Sequence, residues 1–303
     1  MSTLEVAFQE EGGSDVIGID RLYYTFPIGN KFTATIGGRV GQEDMLAIWP
    51  TAYATDLSST VLDIATLPGA ASGAFNKNLG GGGGITWNSG GFAISANYVS
   101  ANSGVGDPND GGIATDGSLG TGTVQIGYQG EQWAIAGTYS YLQDGSLIPY
   151  GTVFLQDNLD FFEDNTTNAF GVSAYWQPAR SSWIPSISVG WGINSHTYEG
   201  DTPDGAVTTS QSWLVGLEWN DVFLQGNSFG MAVGQPTFAT ALEGDEGARD
   251  GNYIWEWWYR FQVTDNIAVT PALFYLSRPL GQLTSYDEGF TQFGGLVRTT
   301  FTF

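Results

Sequence analysis

Connections of two lengths alternate along this chain, and that alternation limits its fold more than any single motif does. Segments with a side-chain period of two recur from start to end, the mark of strands with one apolar and one polar face. Leu4, Val6 and Phe8 begin the series, followed by Leu22, Tyr24 and Phe26, then Phe32, Ala34 and Ile36. Later members include Phe92, Ile94, Ala96 and Tyr98, and Phe170, Val172, Ala174 and Trp176. The last is Thr291 to Phe303, with Phe293, Gly295, Val297, Phe301 and Phe303 on one parity. Fourteen strands are expected in all, one of them running from about Val222 to Val233.

Short turns near residues 27–31, 88–91, 129–132, 177–182, 220–221 and 264–266 separate long loops near 10–15, 41–78, 100–120, 144–165, 195–208, 235–251 and 278–290. An up-and-down antiparallel β-barrel across a membrane has tight turns at one rim and long loops at the other. A Greek-key sandwich or a propeller requires no such alternation. Of the 31 carboxylates, 24 fall in the long loops. Aromatic residues flank the short turns, among them Phe26, Phe32, Trp87, Phe92, Trp133, Trp176 and Trp219. Such rings suit a headgroup-level girdle. The opposite parity carries small polar residues, including Thr33, Ser95, Asn97, Thr123, Gln125, Ser173 and Ser188. That pairing of faces suits lipid outside and water inside.

The length of 303 residues fits one large β domain, and the absence of Cys excludes disulfides and thiolate metal sites. A net charge of −22 disfavours nucleic acid, whose phosphates require Lys and Arg. Apolar runs fall short of the roughly 18 residues of a membrane helix, a limit that strands of alternating polarity do not face. The start, MSTLEVAFQE, lacks the order of a secretory signal. A mature piece or fragment of an outer-membrane protein is therefore expected.

Candidate sites follow from parity. Arg21, Arg39, Arg260 and Arg298 fall on the inner parity, as do Glu218 and Glu256. They are the expected pore-lining residues, because opposed charges across an aqueous constriction sort ions. The loop 41–78 mixes Glu43, Asp44, Asp56 and Asp63 with Met45, Leu46, Ile48 and Trp49. A loop so long and apolar is expected to fold inward as a constriction, with an outer lid or a subunit contact as the alternative. Tyr23 and Tyr175 are the inward rings able to stack on sugars. Gly80–Gly84 lacks the Lys of a phosphate loop and reads as close backbone approach. Asp107–Gly111 and Asp201–Gly205 read as solvated turns. His196, the single histidine, reads as a loop residue, so a hydrolase has little material. No metal site, cofactor or catalytic residue is expected.

The stretches DRLYYTFPIGNK (20–31), EDMLAIWPTAY (43–53), GGIATDGSLGTGTVQIGY (111–128), WIPSISVGWG (183–192), GNSFGMAVGQPTF (226–238) and WEWWYRFQVTDNIAVTPALFYLSRPLG (255–281) resemble the barrel of cyanobacterial outer-membrane porins with an S-layer homology domain. These are related to OprB-type carbohydrate-selective porins and are often called iron uptake porins. The resemblance implies a homotrimer of 16-stranded barrels in outer-membrane lipid, passing small solutes and chiefly inorganic ions. It also implies a peptidoglycan-gripping domain and further strands, both absent here, so residues 1–303 are expected to be a barrel domain incomplete at its amino terminus. A sugar-selective channel is the first alternative. A soluble or surface glycan-binding β-protein is the second.

Overall fold

In the computed structural model, the described residues are 18–55, 60–162, 164–181, 183–244, 247–285 and 289–302. The strand expected over Leu4, Val6 and Phe8 lies outside them, as do Phe303 and Asp56. Among the described residues thirteen strands form one antiparallel sheet in which each strand pairs with its sequence neighbours. They are β1 (Leu22–Ile28), β2 (Phe32–Gly41), β3 (Leu79–Ser89), β4 (Phe92–Ser100), β5 (Gly120–Gln129), β6 (Trp133–Leu142) and β7 (Asn165–Trp176). There follow β8 (Ser186–Tyr198), β9 (Val207–Asn220), β10 (Ser228–Leu242), β11 (Tyr253–Thr264), β12 (Ile267–Ser277) and β13 (Thr291–Phe301). β1 and β13 are the two edges of this sheet.

The register carries each parity across most strands, with bulges in the pairs of β1 with β2, β2 with β3, β9 with β10 and β11 with β12. The bulge between Gly37 and Val40 sets Arg39 opposite the exposed Leu22, off the inner parity on which the sequence places it. Ile94 lies opposite Ile126, while Ser95 lies opposite Gln125, which lies opposite Thr138. Farther on, Val172 faces Trp191 and Trp191 faces Trp213. Ile94, Ile126, Val172, Leu273 and Val297 are exposed, whereas Ser95, Gln125, Thr138 and Ser173 are buried. A soluble sheet would show the reverse. Apolar side chains in open contact with the surroundings and polar ones beneath are the arrangement hydrocarbon selects.

Two further sequence expectations are corrected. The strand expected from Val222 begins only at Ser228. Asp221 and Phe223 adopt left-handed backbone (φ 58° and 63°), which ends β9, and Val222 N–H donates to the Asn227 carbonyl to close a wider turn. His196 lies not in a loop but inside β8, buried, with Thr167 Oγ1 2.8 Å from Nδ1 and Ser210 Oγ 2.9 Å from Nε2. Small polar residues on β7 and β9 extend the ladder past the apolar band, and they supply the partners a buried imidazole requires.

The long-loop rim carries a cover that alternation alone does not reveal. Thr152 accepts from Leu155 N–H and starts α1 (Val153–Phe161), whose Leu155 and Leu159 pack on Leu142, Ala169, Val207, Ala239 and Leu242. Asp250 ties this cover together. Its carboxylate accepts from Thr152 Oγ1 (2.6 Å), Ala239 N (2.8 Å) and Gln282 N (2.8 Å). Burial nevertheless pushes the Asp250 carboxyl up to about 6.

Two tests follow from this architecture. Ile126→Arg, on the outward face of β5, should cost about 2–4 kcal/mol of stability near the bilayer midplane, read by denaturant titration in lipid vesicles. For Asp250 the raised folded-state value means that proton binding favours the folded cover. That contribution is complete below the ordinary aspartate range and is lost as pH rises through about 6. Hydrogen-exchange protection of residues 247–252, corrected for intrinsic rates, should therefore be greater at pH 4 than at pH 7. Asp250→Asn should abolish that difference.

Candidate solute pathway

The inner face of the sheet is occupied by the described part of the connection between β2 and β3, residues 42–55 and 60–78, called here the 42–78 segment. Its apolar side chains Tyr53, Val61, Leu62, Ile64, Leu67 and Phe75 form a core with Leu214, Ala232, Ile254, Trp258 and Leu276 of the wall. Apolar groups of a loop are thus removed from water against inward residues of β9–β12. The remaining inward wall is polar, and there the segment is hydrogen-bonded strand by strand. Gln42 Nε2 reaches Thr123 Oγ1 (3.0 Å), Ile48 N–H donates to Gln125 Oε1 (2.9 Å), and Ser173 Oγ donates to the Pro68 carbonyl (3.0 Å). Ala52 N–H donates to Ser188 Oγ (2.8 Å), and the hydroxyls of Ser72 and Thr237 are in contact.

Glycine lets the segment lie this close. A Cβ built on Gly216 would fall 2.5 Å from the Tyr53 ring, and one on Gly190 would fall 2.6 Å from the Gly69 Cα. On β3, Gly84 serves the same end, since a Cβ there would meet Met45 Sδ at 3.0 Å.

The segment gathers most of the charged residues that parity singles out. Arg21, just before β1, forms ion pairs with Glu43 (2.9 Å), Asp44 (2.9 Å) and Asp20 (2.7 Å). Burial raises the Glu43 carboxyl above its ordinary range despite Arg21 beside it. Arg39 on β2 donates from Nε to the Asp20 carbonyl. Arg298, on β13, donates to the Thr60 carbonyl (2.8 Å), so one segment meets both edges of the sheet. Glu218, on β9, accepts from Ala54 N–H (3.0 Å). Asp63 is buried, 3.7 Å from Lys77 Nζ.

Glu256, on β11, is fully buried beneath the segment. One oxygen accepts from Tyr53 Oη (2.6 Å) and Thr60 Oγ1 (2.8 Å), the other from Val61 N (3.1 Å) and Leu62 N (2.8 Å). Trp258 Nε1 in turn donates to Tyr53 Oη (2.9 Å). Sequence reasoning placed Glu256 on the inner parity but missed Tyr53, Thr60 and Trp258, because their partners stand some two hundred positions away.

Arg260 is half-buried on inward β11, opposite Ser228. Toward the short-turn rim, Asn88, Gln129, Asn220, Gln262 and Thr300 share its inward parity and keep solvent exposure. Tyr23 on β1 and Tyr175 on β7 both face inward but have five strands between them, so they do not form one stacking ladder. Tyr175 packs beside Ile48, Ala93 and Ala134. Asp107–Gly111 is a turn in which Asp110 and Gly111 N–H groups donate to the Asp107 carbonyl.

Against known proteins, residues 6–303 match the family model described as carbohydrate-selective porin, OprB family. An uncharacterized protein of Nostoc sp. is 27% identical over 96% of this chain and 51% of its own length. An uncharacterized protein of Synechocystis sp. is also 27% identical, over 97% of this chain and 56% of its own. The chain thus spans about half the length of the curated relatives it matches. Among solved structures, the Pseudomonas putida OprB structure has a TM-score of 0.54 at 14% identity, covering 92% of this chain and 71% of that one. OmpT of Vibrio cholerae gives 0.51 at 10% identity, covering 90% and 78%. At these identities the likeness is one of fold, that of the outer-membrane β-barrel porins. With the family model matching nearly its whole length, the chain belongs to the OprB family of carbohydrate-selective porins and is a protein of the outer membrane.

Proposed function

We propose that this chain forms the wall of a channel for passive diffusion of small hydrophilic solutes, chiefly inorganic ions, with cations favoured. The observation that carries the reading is the division of charge between rim and wall. Carboxylates crowd the long-loop rim at Asp107, Asp110, Asp116, Asp144, Asp157, Asp160, Asp164, Glu199, Asp201, Asp204 and Glu243. The inner surface toward the other rim presents amides and hydroxyls with Glu218, Arg260 and Arg298. An acidic mouth above a polar wall concentrates cations by its field.

Segment 42–78, with Glu43, Asp44 and Asp63, acts in this reading as the constriction. It narrows the inner space along the whole sheet, from Val40 of β2 to Arg298 of β13. Arg260 supplies positive charge on the wall, while Arg21 and Arg298 bind the segment itself and Arg39 binds the Asp20 carbonyl beside it. Iron would pass as one more small ion, since among the described residues no group of three or more His, Asp or Glu is placed to hold a metal. Catalysis has no part in this reading. Assembly as a homotrimer, and attachment to peptidoglycan through a domain outside this chain, are carried over from the resemblance in sequence.

A second reading is favoured by the family description: sugars as the preferred solute, with Tyr23, which is 41% exposed, as one stacking surface. Reversal potentials of the full-length protein in planar bilayers test the first reading. Under a potassium chloride gradient the potential should lie on the potassium side. The preference should weaken as ionic strength rises from about 0.1 to 1 M and the Debye length falls from about 10 to 3 Å. A potential at zero or on the chloride side would reject it. Block of the ionic current by millimolar oligosaccharide, lost in Tyr23→Ala, would favour the second.

A further inference from the structure

Glu256 gathers Tyr53, Thr60, Val61 and Leu62 of the inner segment onto one carboxylate. A carboxylate has lone pairs for about four donors, and the four it receives come from three different places on one stretch of chain: the Tyr53 hydroxyl, the Thr60 hydroxyl, and the Val61 and Leu62 backbone N–H groups. Trp258, two residues along the same strand and on the same face, holds the Tyr53 oxygen from behind. Nearby, Glu218 accepts from Ala54 N–H and Arg298 donates to the Thr60 carbonyl. The first arm of the segment is held elsewhere, with Gln42 on Ala74 O and Thr123, and Met45 packed on Val40 and Val99.

We infer that Glu256 is a positioning residue for permeation, the group that fixes where Tyr53 and residues 60–62 lie and thereby the width the segment leaves open. This rests on the diffusion-channel reading above. The argument is one of matching. Two backbone N–H groups cannot turn away from a lost acceptor as a hydroxyl can. Removing the carboxylate therefore leaves two buried donors that only water or a shifted segment can satisfy. Apolar packing of Val61, Leu62 and Ile64 opposes release but sets no register, being without direction. The carboxylate supplies the register.

Residues 1–303 contain no cysteine, so single-cysteine reporters are placed here after replacing any cysteine elsewhere in the full-length protein by serine. Leu62→Cys and Met45→Cys, both at residues 1% exposed, report the latched arm and the first arm separately. In the full-length protein reconstituted into lipid vesicles, a water-soluble thiosulfonate should label Leu62→Cys at least roughly tenfold faster when combined with Glu256→Ala, the factor expected for loss of charge-assisted hydrogen bonds. Labelling of Met45→Cys should stay slow in the same background. Single-channel records of Glu256→Ala should show a changed conductance with added open-state noise. Glu256→Gln keeps the shape and part of the bonding, and should move both readouts in the same direction by less; it carries the test if the alanine variant does not fold. Unchanged labelling at Leu62→Cys overturns the inference, as does equal acceleration at both reporters, which would mean that the whole barrel has loosened. If the parent protein conducts and the variants match it, the positioning role fails while the channel reading stands. If the parent itself passes no current, the channel reading is what fails.

Discussion

Hydrocarbon offers no hydrogen-bonding partner, and that constraint governs this chain before any side chain is considered. Each backbone N–H and C=O at membrane depth must be met by a neighbouring strand. Consecutive antiparallel pairing meets the demand with the shortest possible connections at one rim, which is why β1 through β13 follow one another without a crossover. Once the ladder is fixed, the pleat assigns every second residue to lipid. The outward row can then only be apolar, and the inward row is free to be small and polar.

A polar inner wall is what allows a loop to be packed inside it. Ordinary cores exclude hydroxyls and amides unless these are paired. Here Thr123, Gln125, Ser140, Ser173 and Ser188 are paired with backbone groups of the 42–78 segment or with one another, so the segment is bound by directional contacts on one side. On the other side Leu214, Ile254, Trp258 and Leu276 give it an apolar bed. The barrel interior is thus half recognition surface and half hydrophobic core. The change from one to the other falls near β9, where Glu218 and Leu214 share a face.

Much of this was legible in the sequence, because period two is a local signal. The faces of Ile94 and Ser95, or of Val297 and Arg298, can be read from alternate residues with no knowledge of the partner strand. The apolar residues of 41–78 were legible as ones that water would not tolerate in so long a loop, and Tyr53, Leu62, Ile64 and Phe75 are buried among wall residues. Other features were not. β8 carries His196 into the wall because the alternation persists past the apolar band with Ser, Thr and Asn on both faces, and hydropathy fades there. α1 is only nine residues long, and its signal was the Thr152 cap with Leu155 and Leu159 four apart, a weak pattern inside a loop. The Glu256 latch had no local signal whatever, since the residues it joins meet only when β11 closes round the segment.

The contact between Gly69 and Gly190 shows how finely the interior is gauged. There two backbones touch without any side chain between them, and the outward neighbours Val189 and Trp191 stand in lipid on the far side of the same strand. An alanine at position 190 would need the segment to retreat by about an ångström to restore ordinary contact. At that height the depth at which the segment sits against the wall is decided by a missing methyl group, and a single peptide plane separates the segment from lipid.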